Sequence, residues 1–276
     1  MQRYYWTVLI CLLVGATATG SSSGLGSALA ENAEAAPTQT QFEQPLPYDR
    51  PPKVEEGAPN ATVPPLTEPL SPEQTKRAEA LLPLLEGKQE LWAMAEFVHL
   101  GPGAVPVLIQ ALSMPGPRIR YNAIETMSMI KHPSAVPALL ETAKQPAEMP
   151  RIREHALRVS VRLDPSQTPP AIEVMAKDSN SSVRNVAAFE SRYVREKAVI
   201  PVLIGLISDE ERFVGTTAVQ SLWRLTDHPT DMHDWASSTQ HDRQEWAEEW
   251  TQWWESTQET FEFPDPRAKN KRSRRS

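Results

Sequence analysis

The feature that most constrains this chain of 276 residues is a proline that recurs at a nearly constant interval in front of apolar segments. The steps between Pro106, Pro137, Pro170 and Pro201 are all about 31 to 33 residues, a period typical of repeated structural units. Proline suits the first turn of a helix, because the N–H group that it lacks would have no intrahelical partner there. The interval therefore predicts a helix in each repeat, with the proline at its start.

A second marker keeps the same period between these helices. In three segments an arginine follows Ile or Val and precedes an alanine by three residues. Two markers with one period indicate an array in which each unit is a pair of helices. About five pairs fit between Ser71 and Thr226. The arginines are Arg120, Arg153 and Arg184.

These segments resemble HEAT repeats. The pattern AVPxLI in the first helix and VRxxAA in the second is similar to the short bacterial form that is also seen in phycobilisome-lyase-like proteins. The resemblance implies an all-α fold, a right-handed α-solenoid of about five helix pairs with a C-terminal capping helix. The commonest use of such a solenoid is to bind other proteins. Many such repeats have an aspartate before the second helix, and Asp178 and Asp209 match that place.

Residues 1–30 are typical of an export signal. Arg3 precedes an apolar run, and Ala28 and Ala30 stand where a signal peptidase would cleave. The run is short for a membrane span, and an uncleaved inner-membrane anchor is the alternative. Both interpretations predict an exported protein of the periplasm or cell envelope. Residues 31–70 are rich in proline and acidic residues, which predicts a disordered linker.

The composition changes after the repeats. Trp246, Trp250 and Trp253 fall on one face of a predicted helix whose other positions are mostly Glu and Gln. Such a helix is suited to covering the exposed end of an array. This ending is similar to that of many exported bacterial HEAT-repeat proteins. The predicted segments are the solenoid at 71–227, a polar loop and Trp-rich helix at 228–262, and a basic disordered tail at 263–276.

Charge and cysteine content argue against two classes of function. The net charge is −7, which disfavours a nucleic-acid partner, and the single cysteine lies in the predicted signal, which disfavours thiolate chemistry. The predicted function is a non-enzymatic scaffold that binds a protein partner on the concave face of the solenoid. No catalytic residue, metal or cofactor is assigned. Membrane contact is expected only through an N-terminal anchor, and the oligomeric state is left open.

Arg120, Arg153 and Arg184 are the candidate binding residues, because second helices usually line the concave surface of a solenoid. They would form a basic stripe for an acidic partner. The alternative is that they join neighbouring repeats through carboxylates and carbonyls.

Two further functions stay open. One is a nucleic-acid binder that uses the arginines of the second helices. The other is a metal- or cofactor-dependent, lyase-like enzyme that uses the loop at 228–242, since histidine and carboxylate side chains bind transition metals. The residues of this loop are His228, Asp231, His233, Asp234, His241 and Asp242.

Overall fold

The computed structural model describes residues 69–228 and 235–265. They belong to the second of the two units into which the chain divides, Ala61–Ser276. Within these residues all regular secondary structure is helical, and the helices form five pairs followed by one further helix. The fold is an α-solenoid, as the repeat predicts.

Each pair consists of a shorter first helix and a longer second helix. The first helices are α1 (Pro72–Leu81), α3 (Val105–Ala111), α5 (Val136–Lys144), α7 (Pro169–Met175) and α9 (Val199–Ile207). The second helices are α2 (Glu90–Leu100), α4 (Pro117–Ile130), α6 (Pro150–Leu163), α8 (Ser181–Ser191) and α10 (Arg212–Thr226). The last helix is α11 (Gln240–Thr257).

The repeated prolines lie in the first turns, but not at the first residue. Pro106, Pro137 and Pro170 are the second residues of α3, α5 and α7, and Pro201 is the third residue of α9. The first N–H groups of a helix have no intrahelical partner, so a proline at any of these positions removes no helical hydrogen bond. The proline therefore marks the start of the helix to within two residues.

The core lies between the layer of first helices and the layer of second helices. The alanine that follows each repeated arginine is fully buried, which lets neighbouring helices approach one another closely. Successive second helices also pack against one another more extensively than successive first helices do. The second helices therefore form the tighter layer, as expected for the inner side of a curved array. The alanines are Ala123, Ala156 and Ala187, with Ala218 at the same place in α10.

The stretch Glu90–Ala111 is long and apolar enough to cross a membrane by length and composition alone. It consists of α2 and α3 with a sharp turn between them at Gly101, where φ is 71°. Its side chains Phe97, Val105 and Leu108 are fully buried in the core. Part of the apolar character of this stretch is therefore used for packing between helices, while Leu91, Trp92 and Val98 are exposed.

Helix α11 packs against α9 through its tryptophans. Trp250 and Trp254 are buried, and Trp246 and Trp253 are partly buried against the core. The ring of His228 stacks on Trp253, with the ring centroids 4.3 Å apart. Most polar residues of α11 face solvent while Arg243 is buried, so the helix covers apolar surface of the last pair.

Candidate functional site

The three arginines chosen from the sequence lie in ion pairs that join neighbouring repeats. Each guanidinium group binds a carboxylate in the turn before the next second helix. The side chains of Arg120, Arg153 and Arg184 expose 15%, 4% and 8% of their surface. The pairs are Arg120–Glu148, Arg153–Asp178 and Arg184–Asp209.

Arg184 shows the arrangement most completely. Its Nε and Nη2 donate to Oδ2 and Oδ1 of Asp209 at 2.7 and 2.9 Å. Its Nη1 donates to the carbonyl oxygens of Asp178 and Ser179 at 2.8 and 3.2 Å. The hydrogen bonds to Asp209 raise the pKa of Arg184 above its ordinary value. The side chain thus connects the turn before its own helix to the turn before the next second helix.

The structure does not present these arginines as a basic stripe on the surface. Their guanidinium groups bind carboxylates and carbonyls of the chain itself, so their donors are already satisfied within the repeats. Where no aspartate precedes α6, Glu148 fills the place: its Oε1 accepts hydrogen bonds from the backbone N–H of Met149 at 2.7 Å and from Nη2 of Arg120 at 2.9 Å.

The series of arginines ends at Gly215, which stands one repeat interval after Arg184. A Cβ atom at this position would lie 2.5 Å from the carbonyl oxygen of Ile207 and 3.2 Å from Cζ3 of Trp235. Arg243 of α11 donates instead to the carbonyl oxygen of Asp209, at 3.3 Å. Glycine therefore lets the end of α9, and beside it the segment that leads into α11, pack closely on α10.

Replacing Gly215 with alanine is expected to lower the free energy of unfolding by about 1–3 kcal/mol, because the added methyl group overlaps a backbone oxygen. Gly205→Ala in α9 is the matched control. Its Cβ would meet nothing within 4 Å, and alanine is favoured over glycine in a helix by roughly 0.5–1 kcal/mol. Urea unfolding followed by circular dichroism measures both changes. Equal midpoints for the two variants would contradict the close packing at Gly215.

The loop that is rich in histidine and aspartate lies partly outside the described residues. In the described part, His228 packs on Trp253, and burial lowers its pKa. Asp242 accepts a hydrogen bond from the backbone N–H of Thr239 in the capping box of α11. Among residues 69–228 and 235–265, no group of three or more His, Cys, Asp or Glu side chains is placed to hold a metal ion. Three of the six candidate residues of this loop lie outside the described ranges: Asp231, His233 and Asp234.

A different set of arginines lies on the second-helix layer and alternates with aromatic rings. These residues stand two, five or six positions after the repeated alanine, and positions four apart share one face of a helix. Positions that are equivalent in successive repeats therefore form rows across α6, α8 and α10. We call this set the arginine–aromatic surface. It consists of Arg158, Arg162, Phe189, Arg192, Tyr193 and Arg224.

Aromatic rings hold two of these arginines in place. The Cζ atom of Arg192 lies 3.9 Å from the ring centroid of Phe189, and its Nε and Nη2 donate to Oγ of Ser221 at 3.3 and 3.2 Å. The Cζ atom of Arg224 lies 5.3 Å from the ring centroid of Tyr193. A guanidinium group stacked on a ring keeps its in-plane N–H donors directed away from that ring. The donors are therefore oriented before any ligand binds.

Ionisable groups lie beneath and beside this surface. Glu190 is buried, with 3.7 Å between its Oε1 and Nε of Arg158, and burial raises its pKa. His155 stacks on Tyr121 with the ring centroids 4.5 Å apart, and its Nε2 lies 3.0 Å from Oε2 of Glu125. Burial, and to a smaller extent Arg158, lowers the pKa of His155 to about 4. The imidazole is thus neutral at pH 7, and its contact with Glu125 is not an ion pair.

The sequence does not single out Phe189 and Tyr193, because aromatic residues at helical spacing are typical of a core. It does not single out Arg224 either. The signal that identifies them is the repeat interval itself. Arg162, Tyr193 and Arg224 follow one another at this interval, as do the alanines that precede them. Only the structure shows that this row faces outward.

Helix pairs joined in this way define an α-solenoid. Residues 88–159, which extend from the turn before α2 into α6, match the family of HEAT repeats. The match supports a HEAT-repeat protein, and the pairs α7–α8 and α9–α10 continue the same architecture beyond it. No curated protein matches the chain.

Proposed function

We propose that the protein is a non-enzymatic scaffold or adaptor that binds a protein partner on its layer of second helices. HEAT repeats commonly mediate protein–protein interaction and are generally non-catalytic. The observation that carries the proposal is the arginine–aromatic surface, where Phe189, Tyr193 and the adjacent Trp223 expose 39%, 41% and 55% of their surface. Tryptophan, tyrosine and arginine are the residues that contribute most often to binding energy at protein interfaces.

The position of this surface supports the same proposal. Its residues come from three successive repeats, and equivalent positions recur at the repeat interval. A partner that lies along the tighter helix layer would therefore contact α6, α8 and α10 at once. Many small contacts from a rigid framework favour binding, because little side-chain freedom is lost when the rings and guanidinium groups are already packed.

The proposal places this scaffold in the bacterial cell envelope. Residues 1–30 have the charge and apolar pattern of an export signal or an anchor, although they lie outside the described residues. The resemblance of the Trp-rich ending to that of exported bacterial HEAT-repeat proteins supports the same compartment.

Site-specific photo-cross-linking tests the function and the compartment together. The full chain, produced in the cells where it occurs naturally, would carry a photoreactive residue at Gln220, which is exposed one repeat interval after Phe189 on the second-helix layer. The control position is Glu173, which is exposed on the first helix α7. We expect one defined protein adduct from Gln220, none from Glu173, and recovery of the adduct with the envelope fraction.

The possible outcomes separate the two parts of the proposal. No adduct at Gln220, or equal adducts at both positions, would contradict binding on the second-helix layer. A specific adduct that fractionates with the cytoplasm would contradict the envelope assignment alone.

A further inference from the structure

The exposed charges of the arginine–aromatic surface differ in sign from the chain as a whole. The chain has a net charge of −7, yet the charged members of this surface are all arginines. The nearby carboxylates of Glu154 and Glu190 expose only 15% and 7% of their side chains, and Arg158 lies within 3.7 Å of both. The charges that the named residues of this surface present to a partner are therefore cationic.

Arg192 and Arg224 differ from the arginines that join the repeats. Within residues 69–228 and 235–265, both side chains contact aromatic rings, Arg192 also donates to the hydroxyl group of Ser221, and neither forms an ion pair with a carboxylate. Arg184, by contrast, is saturated by Asp209 and backbone carbonyls. Two guanidinium groups held on aromatic rings without a carboxylate ligand keep donors for one, with Nη1 of Arg192 among them.

We propose that the occupant of this surface is an extended acidic segment of a partner protein, whose carboxylates bind Arg192 and Arg224 while its apolar atoms contact Phe189, Tyr193 and Trp223. This inference rests on the proposed function, because it states the chemistry of the partner that the scaffold binds. Guanidinium groups bind carboxylates through paired hydrogen bonds, and the exposed rings supply the apolar contact that such a segment needs.

The spacing of the helices defines the pattern that the segment should have. Arg192 follows α8 and Arg224 lies near the end of α10, on adjacent packed helices. Packed helices lie roughly 8–10 Å apart, and an extended chain in the polyproline II conformation rises about 3.1 Å per residue and returns to the same face every three residues. Acidic side chains about three residues apart would therefore reach both arginines.

A nucleic acid is the competing occupant, since arginine and aromatic side chains also bind single strands. A long polyanion would have to cross the rest of a chain whose net charge is −7, whereas a short acidic segment needs only this local cationic surface. The repeated arginines Arg120, Arg153 and Arg184, which would extend a phosphate-binding track, are already bound to carboxylates. The charge distribution therefore favours the peptide.

Fluorescence anisotropy with defined probes tests the proposal on the full chain. The probe is a short fluorescein-labelled peptide with glutamate at every third position and alanine or phenylalanine between. Its counterpart has lysine for each glutamate, and an oligo-dT strand represents nucleic acid. We expect saturable binding of the glutamate peptide that weakens as salt is added, and no binding of the lysine peptide.

Charge reversal locates the binding. The variant Arg192→Glu/Arg224→Glu should bind the glutamate peptide roughly tenfold or more weakly, because two favourable charge contacts become repulsive. Lys76→Glu/Lys88→Glu changes the net charge equally at exposed positions in the first pair, and should bind within about twofold of the parent. Circular dichroism checks the fold of each variant. If the first variant is misfolded, Arg192→Gln/Arg224→Gln replaces it with the same expectation of weaker binding.

Three results would overturn the inference. They are absence of saturable binding of the glutamate peptide, equal weakening in the surface and control variants, and tighter binding of oligo-dT than of the peptide. If the glutamate peptide does not bind while Gln220 still yields its specific adduct, the inference of an acidic partner segment is wrong and the scaffold function stands. If both experiments fail, the proposed function fails with it.

Discussion

Replacing Arg184 with alanine is expected to lower the free energy of unfolding by about 3–5 kcal/mol. The side chains of Arg184 and Asp209 expose only 8% and 5% of their surface, so the change leaves a buried carboxylate without its charged partner. It also removes donors from the carbonyl oxygens of Asp178 and Ser179. Urea unfolding of the full chain, followed by far-ultraviolet circular dichroism, measures the loss as a lower midpoint.

Arg77→Ala is the control for this prediction. Arg77 also forms an ion pair, with Glu96, but its side chain exposes 61% of its surface. Exposed ion pairs contribute about 0–1 kcal/mol, because water and salt screen both charges. If the two alanine variants unfolded at the same urea concentration, the connection between repeats through Arg184 would not be a stabilising feature of the fold.

Trp250→Ala is expected to lower the free energy of unfolding by about 3–5 kcal/mol, as large-to-small changes at buried aromatic residues do. Trp250 exposes 5% of its surface and makes edge contacts with the rings of His228 and Trp253, 5.1 and 5.3 Å between centroids. The cavity would lie where α11 packs on the last helix pair. Thermal unfolding followed by tryptophan fluorescence and circular dichroism measures the loss.

The matched change is Trp223→Ala on α10, where the indole exposes 55% of its surface. Because little apolar area is removed from the core, its unfolding temperature should change much less than that of Trp250→Ala. Because one variant loses a buried tryptophan and the other an exposed one, the comparison separates the effect of α11 packing from the effect of removing any tryptophan. A larger effect at Trp223 than at Trp250 would contradict the described packing of the C-terminal helix.

Much of the architecture can be predicted from the sequence, because it depends on local rules. Ser71 and Gln74, which stand three residues apart, form the capping box of α1, a motif defined by residue type and spacing alone. The repeated prolines lie in first turns, and the repeated alanines are buried at helix contacts. Each of these features depends on residues a few positions apart or on a strict period. Both kinds of pattern can be recognised in a single sequence.

The candidate site could be predicted only in part. The second helices do carry arginines, but the sequence does not distinguish Arg153, whose side chain is 4% exposed, from Arg158 on the same helix, whose side chain is 37% exposed. The difference depends on Asp178, a residue of the next repeat that is 25 residues away from Arg153. Periodicity places both arginines on α6, and it does not say which neighbour each will meet.

That this protein is an array of helix pairs follows from the sequence alone, since a constant interval of about 31 to 33 residues with proline-headed helices has few other solutions. Which of its arginines can bind a partner depends on the tertiary structure. Folding brings Asp209 to Arg184 across 25 residues and so closes one set of donors. It brings Arg192 to the buried hydroxyl group of Ser221 across 29 residues, over the ring of Phe189, and so holds this guanidinium group in place without a carboxylate. The physical reason is that burial and pairing depend on contacts between repeats, which no single repeat contains.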